Sequence, residues 1–314
     1  MPAPDDDDQP QRDPAPDPSQ PAPDEAEAET VEARPALELL IEPDEPLLPR
    51  QTKGRGRVIA VIAGKAGTGK SVVAANLAAA SARHLGLTTA VLDLALQFGD
   101  QALMFDAPAS PSMVDVLANV DALTPDFLLE CMYPSRGVRV LAAPPSPELA
   151  DLVQLEHLDE ILEQLQGLFD LVVVDTASYL SDVTLEIIER ADALLLLVTP
   201  YLASVKDAKL LLKTLSDLGV PPRKVTVALN RMEPGIKMST EVLEANIKFP
   251  ITFELPHTPL ALLDAATDGI PVVVSRPSLE FAQRTVAMAA ALAKMDEVET
   301  TTRPPKRGFL RLGR

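Results

Sequence analysis

The run Gly64-Lys65-Ala66-Gly67-Thr68-Gly69-Lys70-Ser71 carries the spacing G-x-x-x-x-G-K-S, and it directly follows the apolar run Val58-Ile59-Ala60-Val61-Ile62-Ala63. Glycines at these positions let a loop wrap closely around phosphates, so that main-chain N–H groups and the first turn of a following helix face the anion. Lys70 is placed to bridge the β and γ phosphates, and the Ser71 hydroxyl to ligate Mg²⁺. A metal held this way needs an acid nearby. Leu171-Val172-Val173-Val174-Asp175 supplies one at the end of a buried-strand pattern, where ligands of open α/β sheets gather. Asp175 therefore reads as the acid that holds Mg²⁺ through water, with a strand-end cap as its plainer role. The ligand implied is ATP with Mg²⁺.

The elements that must position these residues are legible as alternating patterns. Short β-branched runs are predicted as strands at Arg57–Ala63, Thr88–Leu92, Val138–Leu141, Leu171–Val174, Ala193–Val198, Lys224–Leu229 and Ile251–Glu254. Helices are predicted at Ser71–His84, Leu155–Gln166, Asp182–Arg190, Val205–Leu218, Thr240–Asn246, Leu260–Thr267 and Ser278–Met295. The alternation predicts an α/β fold, a doubly wound, mostly parallel sheet of seven strands flanked by helices. Residues 55–297 form this domain; 1–54 read as a disordered acidic, Pro-rich tail, and 298–314 as a separate basic tail.

Composition limits the function classes. Residues 1–50 hold eight Asp and seven Glu against three Arg, which accounts for −12 of the net −18. The rest is only mildly acidic, so a nucleic-acid surface spread over the whole protein is disfavoured. Cys131 is the only cysteine, which excludes an intrachain disulfide or a cluster built on several thiolates of one chain and suits a reducing cytoplasm. His84, His157 and His257 lack metal-ligand spacing. The N-terminal stretch has no apolar signal-peptide core, and the longest apolar run, Ala193–Val198, is too short to span a bilayer. Leu37-Glu38-Leu39-Leu40-Ile41 is an apolar island in acidic surroundings, readable as a docking segment for a protein partner or as an apolar spot in a linker.

Lys65, straight after the first glycine, resembles the deviant phosphate-loop signature of the MinD/ParA superfamily of ATPases. The segments Ala90–Asp100, Val172–Thr176, Ala228-Leu229-Asn230-Arg231 and Ala266–Pro271 resemble, in order, that superfamily's later motifs, and are most similar to its CpaE/TadZ branch in pilus assembly and placement. The resemblance implies that Lys65 reaches the phosphates of a second subunit in an ATP-held homodimer. It also implies that Asp93 is a catalytic acid at the magnesium site, and that Asn230 and Arg231 lie at the adenine. Pro304–Arg314 is similar to a C-terminal membrane-targeting segment: Phe309, Leu310 and Leu312 would meet acyl chains, while Lys306, Arg307, Arg311 and Arg314 meet anionic head groups. A frayed basic tail is the alternative.

The chain departs from the pattern where it matters for turnover. The superfamily carries a second switch acid two residues after the first, and here Ala95 stands in its place. Ala177 also replaces a common proline. Alanine cannot orient water, so the expectation is an ATP-dependent, dimerising factor for spatial positioning or assembly whose hydrolysis is slow. It would act in the cytoplasm, peripherally at the membrane. A non-hydrolysing scaffold and a DNA-partitioning ATPase are the alternatives.

Overall fold

A computed structural model describes residues 54–232 and 238–294. Eight strands run β1 Arg57–Ile62, β2 Thr89–Leu94, β3 Tyr133–Ser135, β4 Val138–Leu141, β5 Leu171–Thr176, β6 Ala193–Val198, β7 Val225–Met232 and β8 Phe253–Pro256. The helices are α1 Lys70–Leu85, α2 Gln101–Met104, α3 Met113–Leu117, α4 Pro125–Glu130, α5 Leu155–Leu168, α6 Asp182–Arg190, α7 Leu202–Asp217, α8 Thr240–Ile247, α9 Pro259–Thr267, α10 Val272–Ser275 and α11 Glu280–Ala293. The sheet order is β3-β4-β2-β5-β1-β6-β7-β8. Every pairing is parallel except β3 with β4.

The doubly wound fold is confirmed and its strand count is corrected from seven to eight. The added strand, β3, is an exposed three-residue edge containing Pro134, and it turns into β4 through Arg136 and Gly137, both at positive φ. Such an edge carries no apolar alternation for a sequence reading to find.

Alternate side chains of the central strands face opposite layers, which is why those strands read as unbroken apolar runs. Ala60, Ile62, Leu92, Val174 and Leu196 pack under α5, α6 and α7 through Leu158, Ile161, Leu162, Ile187 and Leu211. Ile59, Val61, Val91, Val173 and Leu195 pack under α1 and α11 through Val73, Leu77, Phe281 and Met288. Helix α1 is an alanine-rich rod whose small side chains let it lie close against the sheet. Gly86 closes α1 in the left-handed conformation, with its N–H donating to the Ser81 carbonyl. Because β1 lies between β5 and β6 while its crossover leads to β2, the chain reverses direction around β1, and a crevice opens at the carboxyl ends of β1 and β5. Among the described residues no helix is long and apolar enough to cross a membrane. The segment Leu37–Ile41 and both predicted tails lie outside the described residues, apart from Gly54.

Candidate functional site

The glycine-rich loop runs from the end of β1 to the start of α1. Gly67 and Gly69 adopt φ of 77° and 91°, a left-handed backbone suited to glycine. Gly69 is the N-cap of α1 and offers no side chain, so no side-chain cap occupies the first-turn N–H groups. These donors and the positive end of the helix dipole face the crevice, an arrangement that binds phosphate. Lys65, Ala66 and Gly67 are exposed at the loop tip; Thr68 and Lys70 are buried, while Gly64, Gly69 and Ser71 are partly buried.

Lys70 Nζ donates to Ser178 Oγ at 2.7 Å. Burial lowers the Lys70 pKa, and the nearby Asp175 carboxylate opposes that shift. A buried ammonium held by a neutral hydroxyl is well placed to accept an anion. Ser178 follows β5 in the Asp175-Thr176-Ala177-Ser178 run and was missed from sequence; its only signal was its position just beyond the β5 acid.

Asp93 and Asp175 end neighbouring parallel strands and are register partners across β2 and β5. Both are almost completely buried. Burial, followed by the neighbouring Asp175, raises the Asp93 carboxyl to about 7. Asp175 is also raised by burial, against the pull of the Ser71 hydroxyl, the Gln101 amide and the Lys70 ammonium. Two buried carboxylates side by side call for a cation. Among the described residues, Asp175 Oδ1, Gln101 Oε1 and Thr68 Oγ1 are buried without a hydrogen-bond partner. Hard oxygen acceptors beside a phosphate cradle match the donor set that a hydrated Mg²⁺ and a triphosphate require, so the residues fit both groups.

Asp93 is engaged on both oxygens: the Ala95 N–H donates to Oδ1 at 3.1 Å and the Gln101 N–H to Oδ2 at 2.9 Å. Gly99 packs so tightly here that a Cβ would lie 2.5 Å from Asp93 Oδ2 and 2.4 Å from the Ala143 Cβ. Asp93 thus organises the segment from Ala95 to Gln101. Asn230 Nδ2 donates to the Thr68 carbonyl at 2.7 Å, and a Cβ on Gly69 would meet that nitrogen at 2.5 Å. Asn230 therefore braces the loop. Arg231 lies on β7, and its side chain is outside the described residues. Gln101, wholly buried between Asp93, Asp175 and Ser71, was not singled out from sequence: a polar residue just after a loop gives no periodic signal.

Beside Gly64, Ala177 and Ser178 a cleft of about 290 Å³ opens toward Leu210 and Leu211 of α7. Of its lining residues, Tyr179, Leu180 and Leu210 are exposed. Among the described residues no group of three or more His, Cys, Asp or Glu side chains is placed to hold a metal ion, and the three histidines join none.

A family model described as the CobQ/CobB/MinD/ParA nucleotide binding domain matches residues 59–268. An uncharacterized ATP-binding protein of Methanocaldococcus jannaschii is 30% identical over 236 residues, covering 74% of this chain and 86% of that relative. Among solved structures, a ParA family ATPase from Chlorobium tepidum superposes with a TM-score of 0.70 at 23% identity, covering 74% of this chain and 98% of the other. The septum site-determining protein MinD of Pyrococcus horikoshii, complexed with Mg-ADP, superposes with a TM-score of 0.65 at 21% identity, covering 76% and 97%.

Proposed function

The chain belongs to the CobQ/CobB/MinD/ParA nucleotide-binding family, and on that premise we propose that it binds ATP with Mg²⁺, closes into a homodimer around it and hydrolyses it slowly. The observation that carries this reading is the convergence, at one sheet edge, of an α1 N-terminus without a side-chain cap, the buried Lys70 and the two buried carboxylates Asp93 and Asp175. The α1 amides and Lys70 hold the phosphates, while Ser71 and Asp175 hold the metal, with Asp93 beside them. Bound Mg²⁺ supplies charge neutralisation between the phosphates. Asn230 holds Thr68 and so fixes the loop's curvature; contact with adenine, with Arg231 beside it, is part of the proposal.

Lys65 supports dimerisation. It stands exposed at the loop tip, next to Gly64, which lines one cleft with the exposed Tyr179, Leu180 and Leu210, an apolar patch that a second copy would cover. Slow turnover rests on position 95, where a methyl group stands and both main-chain polar groups are engaged, the N–H with Asp93 and the carbonyl with the Phe98 N–H. Positioning and electrostatics make up nearly all of phosphoryl-transfer catalysis, so losing one water-orienting group slows hydrolysis and leaves binding intact. The working role is positional: an ATP-dependent placement or assembly factor of the kind in the CpaE/TadZ branch, supported by the Ala90–Asp100 segment and acting peripherally at a membrane from the cytoplasm.

Turnover of wild type, Ala95→Asp and Lys70→Ala, measured side by side, tests the reading. Ala95→Asp should exceed wild type by about a hundredfold or more, the lower end of the roughly 10²–10⁴-fold range of a positioned proton-transfer group. Lys70→Ala should neither bind nor hydrolyse. Wild-type turnover equal to that of Ala95→Asp contradicts the role given to position 95. A wild type that binds ATP and dimerises at the hydrolysis level of Lys70→Ala is an ATP-held scaffold.

A further inference from the structure

Gln101 is the first residue of α2 and has no solvent exposure. Its main-chain N–H donates to Asp93 Oδ2 at 2.9 Å, and its side-chain Nε2 donates to Asp175 Oδ2 at 2.9 Å and to the Ser71 carbonyl at 3.0 Å. One residue thereby ties the end of β2, the end of β5 and the first turn of α1 together. We propose that Gln101 is a positioning residue that couples the divalent cation at Asp175 to the conformation of the switch segment Asp93–Met104. The proposal rests on the reading that this site holds Mg²⁺ with ATP.

A buried amide needs partners for both of its ends. Gln101 spends its nitrogen on Asp175 and Ser71, yet its Oε1 is buried without a partner, as is Asp175 Oδ1. Two unpaired acceptors at one point of the core are matched by a hydrated cation, which brings positive charge and O–H donors to both. The Gln101 amide holds Asp175 by Oδ2 and so orients the carboxylate, leaving Oδ1 for the cation. A cation taken up there adjusts the Gln101 side chain, and the main-chain bond to Asp93 belongs to the same residue. The Ala95 N–H holds the other oxygen of Asp93, so the whole turn from 93 to 101 follows. An apolar side chain of similar length would keep the main-chain bond to Asp93 and cut the side-chain links to Asp175 and the Ser71 carbonyl.

The test uses the full chain, a fluorescent non-hydrolysable ATP analogue and Mg²⁺. Gln101→Leu should bind the analogue in EDTA within about twofold of wild type but need at least tenfold more Mg²⁺ to reach the tight-binding state, as partners that orient metal ligands usually require. A Mg²⁺ midpoint within twofold of wild type overturns the proposal. Should Gln101→Leu fail to fold, hydrogen exchange on wild type still decides. Exchange of peptides spanning 93–104 should change severalfold when analogue and Mg²⁺ are both present, and not with analogue in EDTA; exchange indifferent to Mg²⁺ overturns the coupling. Wild type that binds no analogue under either condition removes the nucleotide reading itself, whereas Mg²⁺-dependent binding unchanged by Gln101→Leu removes only the role of Gln101.

Discussion

Asp93 and Asp175 are register partners on β2 and β5 and both are almost completely buried, an arrangement that costs the cation-free protein stability. The sign follows from the shift. Asp93 is raised from an ordinary 3.8 to about 7, so the folded state holds a proton that the unfolded chain releases. The stability this gives is fully present below pH 4 and is lost as pH rises through 7. Asparagine at position 93 is neutral throughout. Urea midpoints in EDTA should therefore show Asp93→Asn gaining on wild type as pH goes from 5 to 7.5, and Mg²⁺ with nucleotide should shrink that gain. A gap independent of pH contradicts the buried-pair account. Lys70 belongs to the same balance: its burial is tolerable because Asp175 is near and Ser178 accepts its bond.

At the scale of elements, the loop depends on packing as much as on phosphate chemistry. A Cβ on Gly64 would lie 2.6 Å from both the carbonyl carbon and the oxygen of Asp207, main-chain atoms of α7. Helix backbone does not yield as a side-chain tip does. Gly64→Ala should cost about 1–3 kcal/mol of stability, the usual penalty for overpacking, read from urea midpoints. Gly167→Ala is the control, since nothing lies within 4 Å of its Cβ and its helical site favours alanine. Equal effects of the two would refute the packing role. This contact was hidden in the sequence, where Gly64 reads only as part of a phosphate motif. The strands Val138–Leu141 and Ala193–Val198 are legible to the residue, because Ala193–Val198 is apolar throughout between Asp192 and Thr199, and Val138–Leu141 opens straight after Gly137 with apolar residues on either side of Arg139. The four- to six-residue helices α2, α3 and α4 were not, because one turn carries no 3.6-residue period. Gln101 was lost with α2. The loop Gly64–Ser71 and Asp175 lie at one edge because strand ends of a parallel sheet meet there, and Asp93 is the register partner of Asp175; the bracing of that edge by Asn230, Ser178 and Gln101 depends on side-chain reach, which spacing does not encode.

The charge of the whole molecule is divided in a way that bears on where it acts. Residues 1–50 carry most of the net negative charge, while Arg303, Lys306, Arg307, Arg311 and Arg314 gather at the other end beside Phe309, Leu310 and Leu312. Each basic residue near an anionic surface contributes on the order of 1 kcal/mol, and the short apolar stretch adds little, so one tail holds weakly. On the proposed ATP-held dimer two such tails would act together, strengthening binding by a factor of roughly 10² or more if both reach the surface. Sedimentation with vesicles of mixed neutral and anionic lipid should therefore retain the full chain with Mg²⁺ and ATP and release it with ADP. Lys65→Ala should bind ATP as a monomer and lose the vesicles. Removal of 298–314 should leave the dimer, seen by light scattering, and lose the vesicles too. Raising salt from 50 to 500 mM should weaken retention, because the attraction is screened beyond a few ångströms. Retention of Lys65→Ala equal to wild type would mean that attachment does not pass through the dimer, and ATP would then control partner choice rather than address.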